Sequence, residues 1–259
     1  MARRQAHRQG LVTAHANAAA SLPAVNVPIH CKKVPIMNDP RAQGLSETSV
    51  GDEPDPAPAV PERLSRIHEF LLFCDRYKRI DRRNSLTAGS RRENDAEHTW
   101  HMALYALLLK DEIGADVDIA HVLAMILTHD LVEIHAGDTF AYDAAGREDQ
   151  AEREEEAAIQ LFGMLPDDLR DRVWSWWREF ESGDTAEARF ARALDRLQAF
   201  GQNVRSGGRD HRENGVSRTM TFDRMRPARH ADDAIRLLVD RLYAEADGRP
   251  GYWLPEGRL

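Results

Sequence analysis

From residue 61 onward, apolar residues recur at α-helical spacing almost to the end of the chain. Leu64, Ile67, Leu71 and Leu72 follow Pro61, which suits a first helical turn because it lacks a backbone N–H. The same spacing predicts helices over residues 61–80, 94–112, 117–134, 147–161, from 166 past 177, 185–204 and 228–246. No segment alternates apolar and polar residues as a strand would. The pattern therefore predicts an all-α, single-domain helical bundle.

The first fifth of the chain has a different composition. Residues 1–38 carry five basic side chains and no acid, a formal charge of +5, whereas the whole chain of 259 residues has −8. Seven of the 12 prolines precede residue 59. We expect residues 1–58 to be a disordered or loosely packed N-terminal extension, or sequence before a true start at Met37. A transit peptide is the weaker alternative, because prolines interrupt any amphipathic helix there. The functional domain is expected over residues 59–259.

Charge and cysteine content argue against several classes of protein. With 35 Lys and Arg against 43 Asp and Glu, a nucleic-acid polymer is not expected as a partner. Cys31 and Cys74 lie far apart with no CxxC pair, which argues against a disulfide scaffold or a thiolate zinc site and favours a cytoplasmic location. The most continuous apolar run, residues 103–109, is too short to span a bilayer, so no membrane partner is expected.

Four polar side chains stand where the helical pattern requires apolar ones. His98 shares a face with Met102 and other apolar residues, and His129, Asp130 and Asp195 also lie on apolar faces. A buried, isolated carboxylate costs several kcal/mol unless it is paired or bound to a cation. Each residue alone is best explained as a hydrogen-bonded core side chain, but the four together favour a divalent metal site. Mixed nitrogen and oxygen ligands suit Mn, Fe, Co or Zn, and less readily Mg.

Three segments containing these residues resemble the motifs of a known family. They are residues 92–100 (RENDAEHTW), 129–138 (HDLVEIHAGD) and 193–198 (ALDRLQ). Their order and helical context resemble the HD-domain superfamily of metal-dependent phosphohydrolases, and most closely its 5′-deoxynucleotidase branch, over about residues 62–245. The resemblance implies an HD-domain helical bundle with His98, His129, Asp130 and Asp195 as metal ligands. It also implies that Glu133 acts at the reaction centre and that Asp138 positions water or a substrate hydroxyl.

The histidine count favours one metal ion over two. Two-metal members of the superfamily carry additional histidines between the HD pair and the last aspartate. Here only His135 lies between Asp130 and Asp195. We therefore expect one divalent ion as the cofactor, with Mn, Co, Fe, Zn and Mg all left open.

Arginines before the first motif are candidates for holding a phosphate, because a guanidinium matches phosphate geometry. They are Arg83, Arg91 and Arg92. Arg83 corresponds by position to a phosphate-contacting arginine of the deoxynucleotidase branch, although Asn84 follows it where that branch has Trp. This departure leaves deoxyribose preference open.

The predicted activity is hydrolysis of a small phosphoester by a water that the metal activates. A nucleoside 5′-monophosphate is the first choice of substrate, and a nucleoside triphosphate or another small phosphoester is the alternative. The family resemblance also implies a homodimer. A competing class is a non-catalytic helical module with a regulatory or interaction role.

Overall fold

The computed structural model of the chain describes residues 59–87, 89 and 91–254. The predicted extension over residues 1–58, including the predicted start at Met37, lies outside these residues. The described part is a helical bundle with one small hairpin, which confirms the predicted all-α class. Its elements are α1 (Glu62–Phe73), a 3₁₀ helix (Cys74–Arg79), β1 (Asp81–Ser85), β2 (Arg92–Asn94), α2 (Asp95–Leu109), α3 (Ile119–Thr128), α4 (Glu133–Ala136), α5 (Gln150–Phe162), α6 (Asp167–Ser182), α7 (Ala186–Arg205), α8 (Arg209–Glu213), α9 (Arg218–Ala231) and α10 (Asp233–Asp247).

A reciprocal cap fixes the start of α2, the helix that carries His98. The Asn94 side chain accepts a hydrogen bond of 3.0 Å from the backbone N–H of Glu97, and the Glu97 carboxylate accepts one of 3.1 Å from the backbone N–H of Asn94. This capping box satisfies two of the free N–H groups at the helix start. His98 consequently lies in the first turn of a helix whose beginning is well defined.

The predicted helix over residues 117–134 is two helices with a turn between them. α3 ends at Thr128. Before α4 begins, the backbone forms hydrogen bonds between residues three apart: Leu131 N–H donates to Thr128 O (3.3 Å) and Glu133 N–H donates to Asp130 O (3.0 Å). α4 is then ended by Gly137 at φ 76°, a left-handed value that favours glycine. The apolar pattern runs through the turn, so the sequence alone did not reveal the break.

The C-terminal region differs from its prediction in a similar way. The predicted helix over residues 228–246 covers the end of α9 and most of α10, and the chain bends between them at Asp232. The Asp232 carboxylate caps α10 through Ala234 N (2.7 Å) and also accepts from Gly114 N (2.7 Å). α8 and most of α9 were not predicted, because their polar sequences show no apolar stripe.

A β-hairpin replaces the loop predicted over residues 81–92. β1 and β2 pair antiparallel, with Asp81 opposite Asn94 and Ser85 opposite Arg92. The strands are short and charged, which explains why no alternating apolar pattern marked them. The hairpin positions the side chains of residues 82–84 beside α7, where the site lies.

Two apolar clusters form the core. The larger one surrounds α7, with Leu194 and Leu197 buried at its centre against α2, α3, α9 and α10. The smaller cluster lies among α1, α5 and α6, and it contains Trp177 edge-on to Phe162. Trp177 is thus a core residue.

One window, Ile119–Ala136, reaches the length of a membrane span with a mean hydropathy of 1.3. It contains α3, the turn and α4, and its residues Val122, Met125 and Ile126 are fully buried in the larger core. Core helices of globular proteins are often this long and apolar, so we interpret this window as part of the bundle.

Candidate metal centre

His98 is completely buried in α2, and a chain of hydrogen bonds fixes its orientation. Its Nδ1 lies 2.6 Å from Oε1 of Gln198, and the Gln198 amide donates to Glu93 Oε1 at 2.8 Å. Because the amide oxygen can only accept, His98 donates through Nδ1 and keeps a lone pair on Nε2. Within the described residues this Nε2 has no hydrogen-bond partner.

His129, at the end of α3, has the same arrangement. Its Nδ1 donates to the carbonyl oxygen of Ile126 at 2.7 Å, and its buried Nε2 likewise lacks a hydrogen bond in the described part of the chain. The ring centroids of His98 and His129 lie 5.8 Å apart. Two neutral imidazoles with free Nε2 atoms directed into one space are the form in which histidine binds metals.

Two carboxylates complete this set. Asp130 Oδ2 lies 2.9 Å from His129 Nε2, and Asp195 Oδ1 lies 3.3 Å from His98 Nε2. One ligand atom from each of His98, His129 and Asp130 lies within 4.8 Å of the others, the spacing that one ion requires. Two acceptor atoms as close as 2.9 Å repel each other unless a proton or a metal ion lies between them. The four predicted residues are thus brought together, and their N₂O₂ donors fit a divalent metal ion.

The electrostatics of these residues show how strongly they require a cation. Burial alone raises the pKa of Asp130, but the neighbouring His129 and Arg82 outweigh it and bring the pKa to about 2. Burial lowers the pKa of His129, but the Asp130 carboxylate reverses this and raises it to about 9. Asp130 therefore stays ionised, and in the absence of a metal His129 is the nearest group that can carry a proton.

Arg82 was not predicted, although it occupies the centre of the site. Nitrogen atoms of its guanidinium lie 3.0–4.0 Å from oxygen atoms of four carboxylates. We call these four carboxylates the carboxylate floor. The floor consists of Glu93, Asp95, Asp130 and Asp195. The Arg82 side chain is only 13% exposed. Had β1 been recognised, its alternation would have directed Arg82 and the buried Asn84 inward and Arg83 outward.

Glu133 and Asp138 both line the same cavity. Glu133, the first residue of α4, is 7% exposed, and its Oε2 is buried without a hydrogen-bond partner among the described residues. Burial, followed by the charges of Asp130 and Asp95, raises the pKa of Glu133 well above its ordinary value. Burial also raises the pKa of Asp138, although Arg82 partly offsets the effect. Perturbed acids beside a metal-binding set are typical of proton-transfer sites.

The cavity above the metal set has a volume of about 360 Å³. Six arginines line it although the whole chain is acidic: Arg82, Arg83, Arg147, Arg192, Arg196 and Arg224. Of the three arginines predicted to hold phosphate, the structure brings Arg83 to the cavity and places the other two elsewhere. Arg91 binds the Glu97 carboxylate on the surface, and Arg92 is exposed because the adjacent Glu93 takes the inward position of β2.

Comparison with known proteins assigns the chain to a family. The model of the HD domain family matches residues 74–234, more than half of the chain. The chain belongs to the HD domain family. The HD pair is His129–Asp130, and the family predicted from the three motifs is confirmed, together with the class of metal-dependent phosphohydrolase.

Individual relatives of this HD domain agree. A crystal structure of a predicted metal-dependent phosphohydrolase from Magnetospirillum magnetotacticum superimposes with a TM-score of 0.65 at 41% identity, covering 74% of this chain and 96% of that one. The 5′-deoxynucleotidase HDDC2 of Bos taurus is 30% identical over 179 residues, which is 68% of this chain and 84% of the relative. The 5′-deoxynucleotidase HDDC2 of Homo sapiens is 32% identical over 132 residues, which is 50% of this chain and 63% of the relative.

Proposed function

We propose that this HD domain is a nucleotidase that hydrolyses a nucleoside 5′-monophosphate with the help of one divalent metal ion. The observation that carries the proposal is the pair of buried Nε2 atoms of His98 and His129, which have no hydrogen-bond partner among the described residues. They lie against Asp195 and Asp130 at the base of an arginine-lined cavity. The names of the relatives support a nucleotide as the substrate. In this proposal the four residues hold the ion, whether Mn, Co, Fe, Zn or Mg.

The bound ion would polarise a phosphoryl oxygen and make a nearby water more acidic. The chain's own residues do the remaining work. Glu133 accepts the proton of the attacking water on its carboxylate, as the water oxygen bonds to phosphorus and the ester P–O bond breaks. The same carboxyl then returns the proton to the leaving alkoxide, so the products are a nucleoside and inorganic phosphate. Burial raises the pKa of Glu133, and a more basic carboxylate accepts the proton of a water more readily.

Asp138 and two arginines orient the substrate in this scheme. Asp138 accepts a hydrogen bond from water or from a substrate hydroxyl, and Arg83 binds phosphate from the cavity rim. Arg82 joins them, because its guanidinium lies 3.0 Å from Asp130 and therefore next to any phosphate held at the metal. Arg91 and Arg92, which were also predicted to bind phosphate, are given no role because neither lines the cavity.

A screen of nucleotides with and without a chelator tests this function. We expect purified full-length protein to release phosphate from at least one nucleoside 5′-monophosphate, and a chelator to abolish the release until Mn, Co or Mg is restored. Matched pairs of ribonucleotides and deoxyribonucleotides will measure the sugar preference. Absence of bound metal and of phosphate release from every nucleotide would instead favour the non-catalytic helical module.

We also propose that the chain forms a homodimer through α2. The outward side of this helix exposes Trp100 (66%), Leu107 (55%) and Leu108 (70%) beside Leu104. An apolar stripe of this kind is typical of a protein interface. Light scattering should give twice the chain mass, and Leu108→Lys should halve it. A chain that is monomeric without the substitution would contradict the dimer.

Two further expectations remain proposals. We infer that residues 59–259 form the catalytic domain, which agrees with the position of every candidate site residue after residue 81. We place the protein in the cytoplasm, and its unpaired Cys74 thiol is consistent with that compartment. Fractionation of cells with a cytoplasmic marker enzyme tests the location.

A further inference from the structure

α7 and α9 contribute three arginines to the lining of the cavity, in addition to Arg82 on the hairpin. Arg192 and Arg196 lie one turn apart on α7, and Arg224 lies on α9. We call these three residues the arginine wall. Arg196 directly follows Asp195, and Arg224 Nη2 lies 3.8 Å from Asp195 Oδ2, so the wall adjoins the metal set.

Carboxylates near the arginine wall, Asp195 and Glu181, form few close ion pairs with it. In the part of the chain that the structure describes, Arg192 and Arg196 form no ion pair within 4.0 Å, and Arg224 has only the 3.8 Å contact with Asp195. Arg192 donates instead to the carbonyl oxygens of Phe180 and Glu181, and Arg196 donates to that of Arg192. Arg196 Nε is buried with no partner in the described residues.

Such an arrangement is costly without a ligand. Like charges one helical turn apart repel each other, and a buried donor without a partner is unfavourable because it has lost its hydrogen bonds to water. Arg82, by contrast, is surrounded by the carboxylate floor. The difference indicates that the wall is built to receive an anion.

In the proposed function the reacting phosphate lies at the metal and contacts Arg82 and Arg83 of the hairpin. This assignment leaves the three arginines of the wall without an anion of their own. We propose that the arginine wall is a subsite for a second phosphoryl group of the same substrate. The inference rests on the proposed function for the first phosphate. The substrate class becomes a nucleotide with two phosphoryl groups, either a nucleoside 5′-diphosphate or a nucleoside 3′,5′-bisphosphate.

Steady-state kinetics test the subsite. Wild-type protein should show kcat/KM at least 10-fold higher for one of the doubly phosphorylated nucleotides than for the 5′-monophosphate, and the favoured one locates the second phosphoryl group. Arg196→Gln should remove this preference by raising KM for the doubly phosphorylated nucleotide much more than KM for the monophosphate. The matched control is Arg189→Gln, an exposed arginine of α7 that should leave the preference intact. Equal loss for all substrates, or no preference in the wild type, would overturn the subsite.

A binding measurement separates failure of the subsite from failure of the proposed function. Inorganic pyrophosphate should raise the Tm of the metal-free full chain, and Arg196→Gln should reduce that shift by more than half. Arg196→Lys, which keeps the charge, should restore most of it, and Arg189→Gln should leave it unchanged. If no nucleotide is hydrolysed but this pattern holds, only the proposed function fails. A Tm shift equal in all four proteins would reject the subsite.

Discussion

The two sides of the cavity treat positive charge in opposite ways. On the hairpin side, one guanidinium, that of Arg82, lies among the four acids of the carboxylate floor. Along α7 and α9, the three guanidiniums of the arginine wall share one carboxylate contact in the described part of the chain, between Arg224 and Asp195. A floor with excess negative charge selects a cation, and a wall with excess positive charge selects an anion. An acidic chain can thereby attract a phosphate locally against its overall charge.

The largest expected effect comes from removing a metal-set carboxylate from the floor. Asp130→Ala should abolish metal binding and lower turnover by about 10³-fold or more, because the ion and its charge stabilisation are lost together. Metal per chain by mass spectrometry and kcat measure the two effects. Asp171→Ala, at an exposed acid on α6, is the control and should change neither. Full metal occupancy in Asp130→Ala would show that this residue is not a ligand.

The next effect concerns proton transfer beside the floor. Glu133→Gln should keep the metal and lose turnover by about 10²–10⁴-fold, the usual contribution of a general acid or base. The amide has nearly the same shape, so metal content and Tm should stay close to the wild-type values. Unchanged turnover would contradict the proton role.

Removing the Arg82 guanidinium, which lies among the carboxylates of the floor, should affect the stability of the fold more than its metal content. Arg82→Gln leaves the buried carboxylates without their positive neighbour, and we expect a loss of about 3–5 kcal/mol in the free energy of unfolding of metal-free protein. A divalent ion should restore part of this loss, because it supplies the missing charge. Chemical denaturation with and without metal measures both values, and an unchanged free energy would show that the floor does not depend on Arg82.

A smaller effect comes from Glu154, an acid that lines the cavity. Burial raises its pKa to about 7, so the folded state binds the proton more tightly than the unfolded state does. Stability should therefore fall as pH rises from about 4.5 to 7 and remain lower above that range. In Glu154→Gln this fall should be absent, giving a gain of about 1 kcal/mol at pH 8 after allowance for solvent screening. Parallel pH profiles for the two proteins would contradict the assigned pKa.

The smallest effect should follow removal of the basic leader. Every candidate site residue comes after residue 81, so a chain starting at Met37 should keep its metal content and kcat/KM within 2-fold of the full chain. Loss of either would show that the leader contributes to the site.

The four residues of the proposed metal set were easier to find in the sequence than the arginines of the cavity. His98, His129, Asp130 and Asp195 were recognised because each interrupts an apolar helical face, and the three motifs supported them. The remaining site residues reach the cavity through contacts between elements that lie far apart in the sequence. Arg82 reaches the floor through a short charged hairpin with no strand pattern.

Two members of the arginine wall were hidden for a different reason. Arg192 and Arg196 lie beside a recognised motif, but an arginine on a helix normally reads as a solvated side chain. Arg224 comes from α9, a helix whose polar sequence gave no signal.

Helix ends also depended on local hydrogen bonds. The turn after Thr128 and the bend at Asp232 lie inside apolar patterns that continue unbroken in the sequence.

The amide of Gln198 has a consequence for how an ion would enter. Its oxygen accepts the Nδ1 proton of His98, and the amide does not ionise in water, so the contact holds the ring with Nε2 beside Asp195. An ion bound there would need no rotation of the ring. Because the polypeptide already fixes this side chain, binding would cost little reorganisation.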